Sequence, residues 1–213
     1  MAGMSVRVWL APLDDVDPTP GLGSLSAGEL ERAERMASER GRRRFLVRRW
    51  MRRSVLSGAG DGVWWSASSS GGMAALAVSP WRVGLDVEQR RERRGWQGIA
   101  RRRYTDDERR AVGDSAGRFL ELWTLKEAYL KALGVGLAGG LDALDCTGLS
   151  RSDGDWMESA AHPGWRFRRL QPRPGFVGAL AVEGPPERIE LHRWAPDTAT
   201  RADGAATAAG AGP

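Results

Sequence analysis

Strand-like and helical runs follow one another along this chain in an order that repeats once. That order constrains the fold more than any single motif does. The first pass runs from VRVWLAPL (6–13) through helical ELERAERMASE and RRRFLVRRWMRRSVL (42–56) to VWWSASSSGGMAALAVSP (63–80), where a Ser/Gly turn separates two strands. The second pass runs from WRVGLDVEQ (81–89) through TDDERRAVG (105–113) and the helical run Arg118–Leu133 to WRFRRLQ and FVGALAVEG (165–184), joined by PRPG, with IELHRWAP as a last strand. Strand, helices, strands, twice over, predicts an α+β fold of two similar halves, each a small antiparallel sheet packed on a long helix. The halves meet near Val83. An N-terminal half, 1–83, carries the arginine-rich helix, and a C-terminal half spans 84–196. The halves share no clear sequence identity, so the duplication rests on order alone. Residues 197–213 are Ala/Gly/Thr-rich and read as a disordered tail.

The ends of several elements carry local signals. Ser26 followed by Glu29 is a capping box, and Thr105 caps the short helix at 105–113, with acids in its first turn. RRERRGWQGIARRR reads as a long arginine-rich loop, and GVGLAGGLDAL as the exit from the long helix.

A length of 213 residues with 41% apolar and 28% charged side chains suits one large or two small cores in water. The single cysteine, Cys146, excludes an internal disulfide framework and fits a reducing compartment, so a cytoplasmic location is expected. The opening MAGMSVRVWLAPLDD has no basic flank and reads as a first strand, and no run approaches the roughly 20 apolar residues that span a bilayer. A net charge of +5 points to a polyanionic ligand or an acidic partner.

Asp86 and Glu88 flank Val87 in a strand-like run, so both carboxylates point to one side. Paired oxygen ligands suit Mg2+, which keeps waters and takes substrate phosphates. Two solvated acids offset by Arg90 and Arg91 would look the same. Glu127 and Lys131 stand four apart on the long helix, which also describes an ordinary surface pair. Lys126 falls at the period of Phe119, Leu122, Tyr129 and Leu133, so its ammonium must snorkel or find an anion. Lys126 and Lys131 are the only lysines beside 30 arginines, and the two cations differ: lysine is a mobile point charge, arginine a rigid fork. The arginines at 42–44, 48, 49, 52 and 53 form a basic helical face, with Arg49 and Arg53 on one side. SASSSGG (66–72) can present N–H groups to a phosphate, or be a plain hairpin turn. His162, His192 and Cys146 do not cluster with zinc spacing, and neither a P-loop nor a nucleophile elbow is present.

VGLDVE followed at a distance by FLELWTLKEAYLKALGVGL resembles the paired signatures of the 4'-phosphopantetheinyl transferases, in their larger single-chain, pseudo-dimeric form. ERAERMASERGRRRFLVRRWMRR and WRFRRLQPRPGFVGALAV resemble flanking segments of that family. The resemblance implies the family fold and transfer of the phosphopantetheine arm of coenzyme A to a serine of an acyl or peptidyl carrier protein, releasing 3',5'-ADP. It implies Mg2+ held by Asp86, Glu88 and Glu127, and catalytic roles for Glu127 and Lys131. It places Arg44, Arg49, Arg53, Ser68, Ser69, Lys126 and Lys131 at coenzyme A. It implies an acidic carrier protein as partner for a monomer, with no membrane and no nucleic acid. Two departures stand out. The family's Gly-Lys/Arg-Pro segment is missing, since only SGAGDGVWW follows the arginine helix, and Ser69 occupies the family's histidine position. Both features contact coenzyme A phosphates in the family, so other arginines must compensate or affinity is weak. A family-fold protein that binds without turnover is the alternative. A basic nucleic-acid-binding module, with tryptophans to stack on bases, is a more distant one.

Overall fold

The computed structural model describes residues 5–91, 95–136, 140–152 and 155–196. The tail expected at 197–213, residues 92–94 of the arginine-rich run and 137–139 of the exit loop lie outside the described residues.

Strand β1 (Ser5–Pro12) leads through a 3-10 turn (Thr19–Ser24) to helix α1 (Ala27–Glu34). The expected capping box is in place: the Ser26 hydroxyl accepts from the Glu29 N–H, and the Glu29 carboxylate accepts from the Ser26 N–H. Helix α2 (Glu39–Ser57) begins before the expected residue 42 because the Ser38 hydroxyl caps the Gly41 N–H at 3.2 Å. Strands β2 (Trp64–Ser70) and β3 (Met73–Ser79) turn at Gly71 and Gly72, so the serines belong to a strand and not to the turn. Gly71 has φ of 56°, which a side chain resists. Strand β4 (Val83–Gln89) follows.

The arginine-rich run expected as a loop contains helix α3 (Trp96–Arg103). Its Trp96 and Ala100 are buried with Phe119, whose ring centroid lies 5.4 Å from that of Trp96. Tertiary packing thus decides a segment whose charge density hides its apolar face. Helix α4 (Asp106–Val112) carries the Thr105/Glu108 capping box, and α5 (Ala116–Leu133) ends at Gly134, in the left-handed region. Short strands β5 (Leu149–Arg151) and β6 (Met157–Ser159) were not expected. Strands β7 (Trp165–Leu170), β8 (Phe176–Glu183) and β9 (Arg188–Arg193) complete the described chain.

The second sheet has the order β4-β8-β7-β6-β5 and is antiparallel throughout. The first has the order β2-β3-β1-β9 and is mixed, because β9 runs parallel to β1, with Val8 opposite Leu191. The division at Val83 assigned Arg188–Arg193 to the C-terminal half, but the strand returns to the N-terminal sheet. There it pairs the free edge of β1, and Trp194 beyond it joins the α2 core, its indole N–H donating to Ser54 Oγ at 2.8 Å.

Strand β3 is buried on both faces, and its alternation shows the layering. Ala74, Leu76 and Val78 meet Val47, Met51 and Val55 of α2, while Met73, Ala75 and Ala77 meet the second sheet at Val83, Leu85, Val87, Leu180 and Val182. Helix α5 covers the far side of the second sheet, packing on Phe167, Val177, Ala179 and Ala181. The mixed α+β architecture is therefore helix, sheet, sheet, helix. Among the described residues no helix is long and apolar enough to cross a membrane.

Candidate active site

The site lies where edge strand β2 of the first sheet meets edge strand β4 of the second. An edge strand leaves a row of N–H groups without ladder partners. Here three alternate serines of β2 take them: Ser66 Oγ accepts from Leu85 N at 3.0 Å, Ser68 Oγ from Val87 N at 3.3 Å and Ser70 Oγ from Gln89 N at 3.1 Å. Residues i, i+2 and i+4 of one strand thus satisfy i, i+2 and i+4 of the other. The Ser68 hydroxyl then donates to Asp86 Oδ1 at 2.8 Å and the Ser70 hydroxyl to Glu88 Oε2 at 2.6 Å.

Behind β4, helix α5 comes very close. A Cβ on Gly84 would stand 1.8 Å from the Ala128 carbonyl oxygen and 2.7 Å from the Ala132 nitrogen, so only glycine permits this approach. It brings Lys131 to Asp86. Lys131 Nζ lies 2.7 Å from Asp86 Oδ1 and donates to the Leu85 carbonyl at 3.2 Å. Asp86 is 5% exposed, and its Oδ2 is buried with no hydrogen-bond partner among the described residues. Burial pushes the Asp86 carboxyl above the usual range, with Glu88 adding to the rise, while Lys131 and the Ser68 hydroxyl pull it back.

A cavity of about 530 Å³ opens in front of the carboxylates. Asp86, Glu88, Lys131, Ser68 and Ser69 form one wall, and Arg48, Arg49 and Arg52 of α2 with Arg32 of α1 form the other. The arginines differ in their partners. Arg49, Arg52 and Arg53 converge on Glu29, at 3.7, 3.3 and 2.7 Å. Arg44 makes a bidentate pair with Asp14, through bonds of 2.7 and 2.6 Å. Arg48 has no acid partner among the described residues and donates to Ser69 Oγ at 2.7 Å and to the Arg44 carbonyl at 3.2 Å. Crowding against the cavity wall lowers its pKa, and the charges of Arg49, Arg32 and Arg44 lower it further, although much of its side chain is exposed at the mouth.

Asp86, Glu88, Lys131, Arg49, Ser68 and Ser69 line one cavity. Arg44 and Arg53 do not line it, and Arg48, Arg52 and Arg32 stand there instead. The signal for this was Phe45, which lines the cavity floor: positions three, four and seven beyond it share its helix face. Ser68 needs correction as a phosphate ligand, because its hydroxyl is engaged both as acceptor and as donor. Lys126 is corrected too. It is fully buried, its Nζ lies 2.7 Å from Glu108 Oε1, and it donates to the carbonyls of Leu141 and Leu144. Glu127 is half-buried on α5, and no three His, Cys, Asp or Glu side chains converge as a metal-binding group among the described residues. The assembled carboxylates are the Asp86/Glu88 pair, with the Lys131 ammonium on Asp86.

Residues 82–181 match the model of the 4'-phosphopantetheinyl transferase superfamily. The chain is also 30% identical over 214 aligned residues to 4'-phosphopantetheinyl transferase HetI of Nostoc sp., an alignment covering 84% of this chain and 88% of that one. The chain belongs to the 4'-phosphopantetheinyl transferase superfamily. The phosphopantetheinyl transferase of Thraustochytrium sp. is 33% identical over 138 residues, 54% of this chain and 47% of that one. The superfamily match contains β4 and α5, the two elements that bring Asp86, Glu88 and Lys131 together. This member is accordingly a transferase enzyme of that kind.

Proposed function

We propose that the seam cavity binds coenzyme A and that the chain transfers its 4'-phosphopantetheine group to a serine hydroxyl of an acyl or peptidyl carrier protein, with Mg2+, releasing 3',5'-ADP. The observation that carries this reading is Arg48, a guanidinium without an acid partner among the described residues. It faces the same cavity as Asp86, Glu88 and Lys131. Coenzyme A brings a diphosphate and a 3'-phosphate, which charge-assisted bonds from Arg48 and its neighbours would hold. Arg49 and Arg52 can release Glu29 for the same purpose. This is the compensation that the missing segment and Ser69 call for.

Asp86 and Glu88 fit Mg2+. Both offer hard oxygen donors, and the buried Asp86 Oδ2 lacks the partner that a buried polar atom requires. When bound, the ion supplies neutralisation of charge on the transferring phosphoryl group. The remaining work falls to the chain. The serine oxygen forms the new bond to the phosphorus that bears the pantetheine arm. The bond from that phosphorus to the bridging oxygen breaks, and its electron pair leaves with 3',5'-ADP. We assign the serine proton to Glu127, one turn before Lys131 on α5, by way of a water, since Glu127 does not itself line the cavity. Lys131 exchanges Asp86 for the 5'-phosphate of the departing 3',5'-ADP, which a mobile ammonium can do and a fixed fork does poorly.

We read the two sheet-and-helix layers as counterpart halves within one monomer. The net charge of +5 would steer an acidic carrier protein toward the seam. The test is intact-mass spectrometry of an apo acyl carrier protein incubated with the chain, coenzyme A and Mg2+. Complete conversion to the phosphopantetheinylated form, blocked by a chelator, is expected. A carrier protein left unmodified while coenzyme A binds would overturn the reading.

A further inference from the structure

The serine ladder carries a consequence for the carboxylates. A backbone N–H can only donate and an ionised carboxylate can only accept. Each ladder serine spends one of its two lone pairs on an N–H of β4, which cannot accept in return, so its one proton goes to an acceptor on its other side. For Ser68 that acceptor is Asp86 Oδ1, and for Ser70 it is Glu88 Oε2. The hydroxyl direction is thereby set at both ends by groups of β4.

We infer that Ser68 and Ser70 are positioning residues that aim Asp86 and Glu88 into the cavity and leave the buried Asp86 Oδ2 without a protein donor, for a cation to take. The inference rests on the reading of Asp86 and Glu88 as metal-holding carboxylates. Three features of the geometry support it. The serine spacing matches the carboxylate spacing, i to i+2 on both strands, so one strand serves both acids. Lys131 and Ser68 converge on the same oxygen of Asp86, so the other oxygen stays without a donor. Ser66 makes the same rung to Leu85 N and neighbours neither acid in β4's alternation, so it is a ladder member without the orienting task.

Ser66 therefore separates the structural rung from the positioning role. Mn2+ binding, followed by electron paramagnetic resonance of the free ion, is the readout, with thermal midpoints measured in parallel. Ser68→Ala and Ser70→Ala should each weaken Mn2+ binding by roughly 10–100-fold, the range for loss of a group that orients a metal ligand. Ser68→Thr keeps the hydroxyl and should restore the affinity. Ser66→Ala should lower the midpoint and leave the affinity at the wild-type value. Wild-type affinity in both Ser68→Ala and Ser70→Ala overturns the inference, as does an equal loss in Ser66→Ala, which would make the ladder structural only. If wild type itself binds no Mn2+, the metal reading and this inference fall together.

Discussion

The two lysines of this chain have separate reasons to be lysine. Lys126 sits in a closed site with three acceptors: the Glu108 carboxylate and the carbonyls of Leu141 and Leu144. An ammonium has three donors and fits such a tripod, whereas a planar guanidinium does not. Glu108 is equally committed, since it caps α4 and accepts from Cys146 N at 2.8 Å. The pair thus ties α4, α5 and the 141–146 segment together. Breaking a buried pair by removing one partner costs about 3–5 kcal/mol. Lys126→Met should lower unfolding stability by about that amount in a urea titration, with coenzyme A affinity of the folded protein unchanged. A loss of coenzyme A affinity without a loss of stability would return Lys126 to the cavity. From sequence, Lys126 was recognisable as a misfit on an apolar stripe, but its partner was not. Glu108 already had a complete local explanation as a capping residue, and nothing local reveals that its second oxygen reaches α5.

Two element-scale contacts hold the cavity walls apart at the right distance. On one side, β4 lies against α5 only because residue 84 has no Cβ. Gly84→Ala drives a methyl into helix backbone, which cannot yield as a side chain can. Overpacking of this kind costs about 1–3 kcal/mol. The expected result is a lower thermal midpoint together with loss of transfer, because Asp86 moves away from Lys131. Normal transfer by a destabilised variant would show that the close approach serves packing alone. On the other side, Glu29 of α1 gathers Arg49, Arg52 and Arg53 of α2. Burial raises its pKa, but the Ser26 N–H, Arg53 and the Ser26 hydroxyl outweigh this and bring it from 4.5 down to about 2. A carboxyl with a depressed folded pKa contributes stability above its unfolded value and loses it as pH falls through the folded one. Glu29→Gln keeps a capping side chain but removes the charge. The midpoint difference from wild type should be full above pH 4.5, shrink as pH falls towards 2 and vanish below it. A pH-independent difference would show that the charge of Glu29 contributes nothing to stability. The Ser26/Glu29 cap was legible because it spans four residues, whereas the arginine clamp depends on how α1 and α2 dock.

At the scale of the whole molecule, the site is a property of the seam between two sheets. Asp86 and Lys131 are separated by 45 positions, and the Arg48 wall comes from a different sheet-and-helix layer. The order of elements indicated a mixed α+β fold, and the resemblance named Asp86, Glu88 and Lys131 as candidates. Neither could show that β9 closes the first sheet in parallel, since a strand's periodicity does not name its partner. The segment SASSSGG was ambiguous for a similar reason: serines of a turn and serines of an edge strand have the same composition. Only the pairing of β2 with β3 sets their alternation, and only the neighbouring edge of β4 gives it a purpose. The central claim is that this seam is the reaction centre and that Asp86 is its metal-facing carboxylate. Asp86→Asn tests it most directly, because the amide keeps the shape and can still accept from Ser68 while losing the charge. Single-turnover transfer to a carrier protein at saturating coenzyme A, measured across a Mg2+ titration, should be abolished in Asp86→Asn, with a thermal midpoint at or above that of wild type. Transfer by Asp86→Asn at the wild-type rate and with the wild-type Mg2+ dependence would contradict the account.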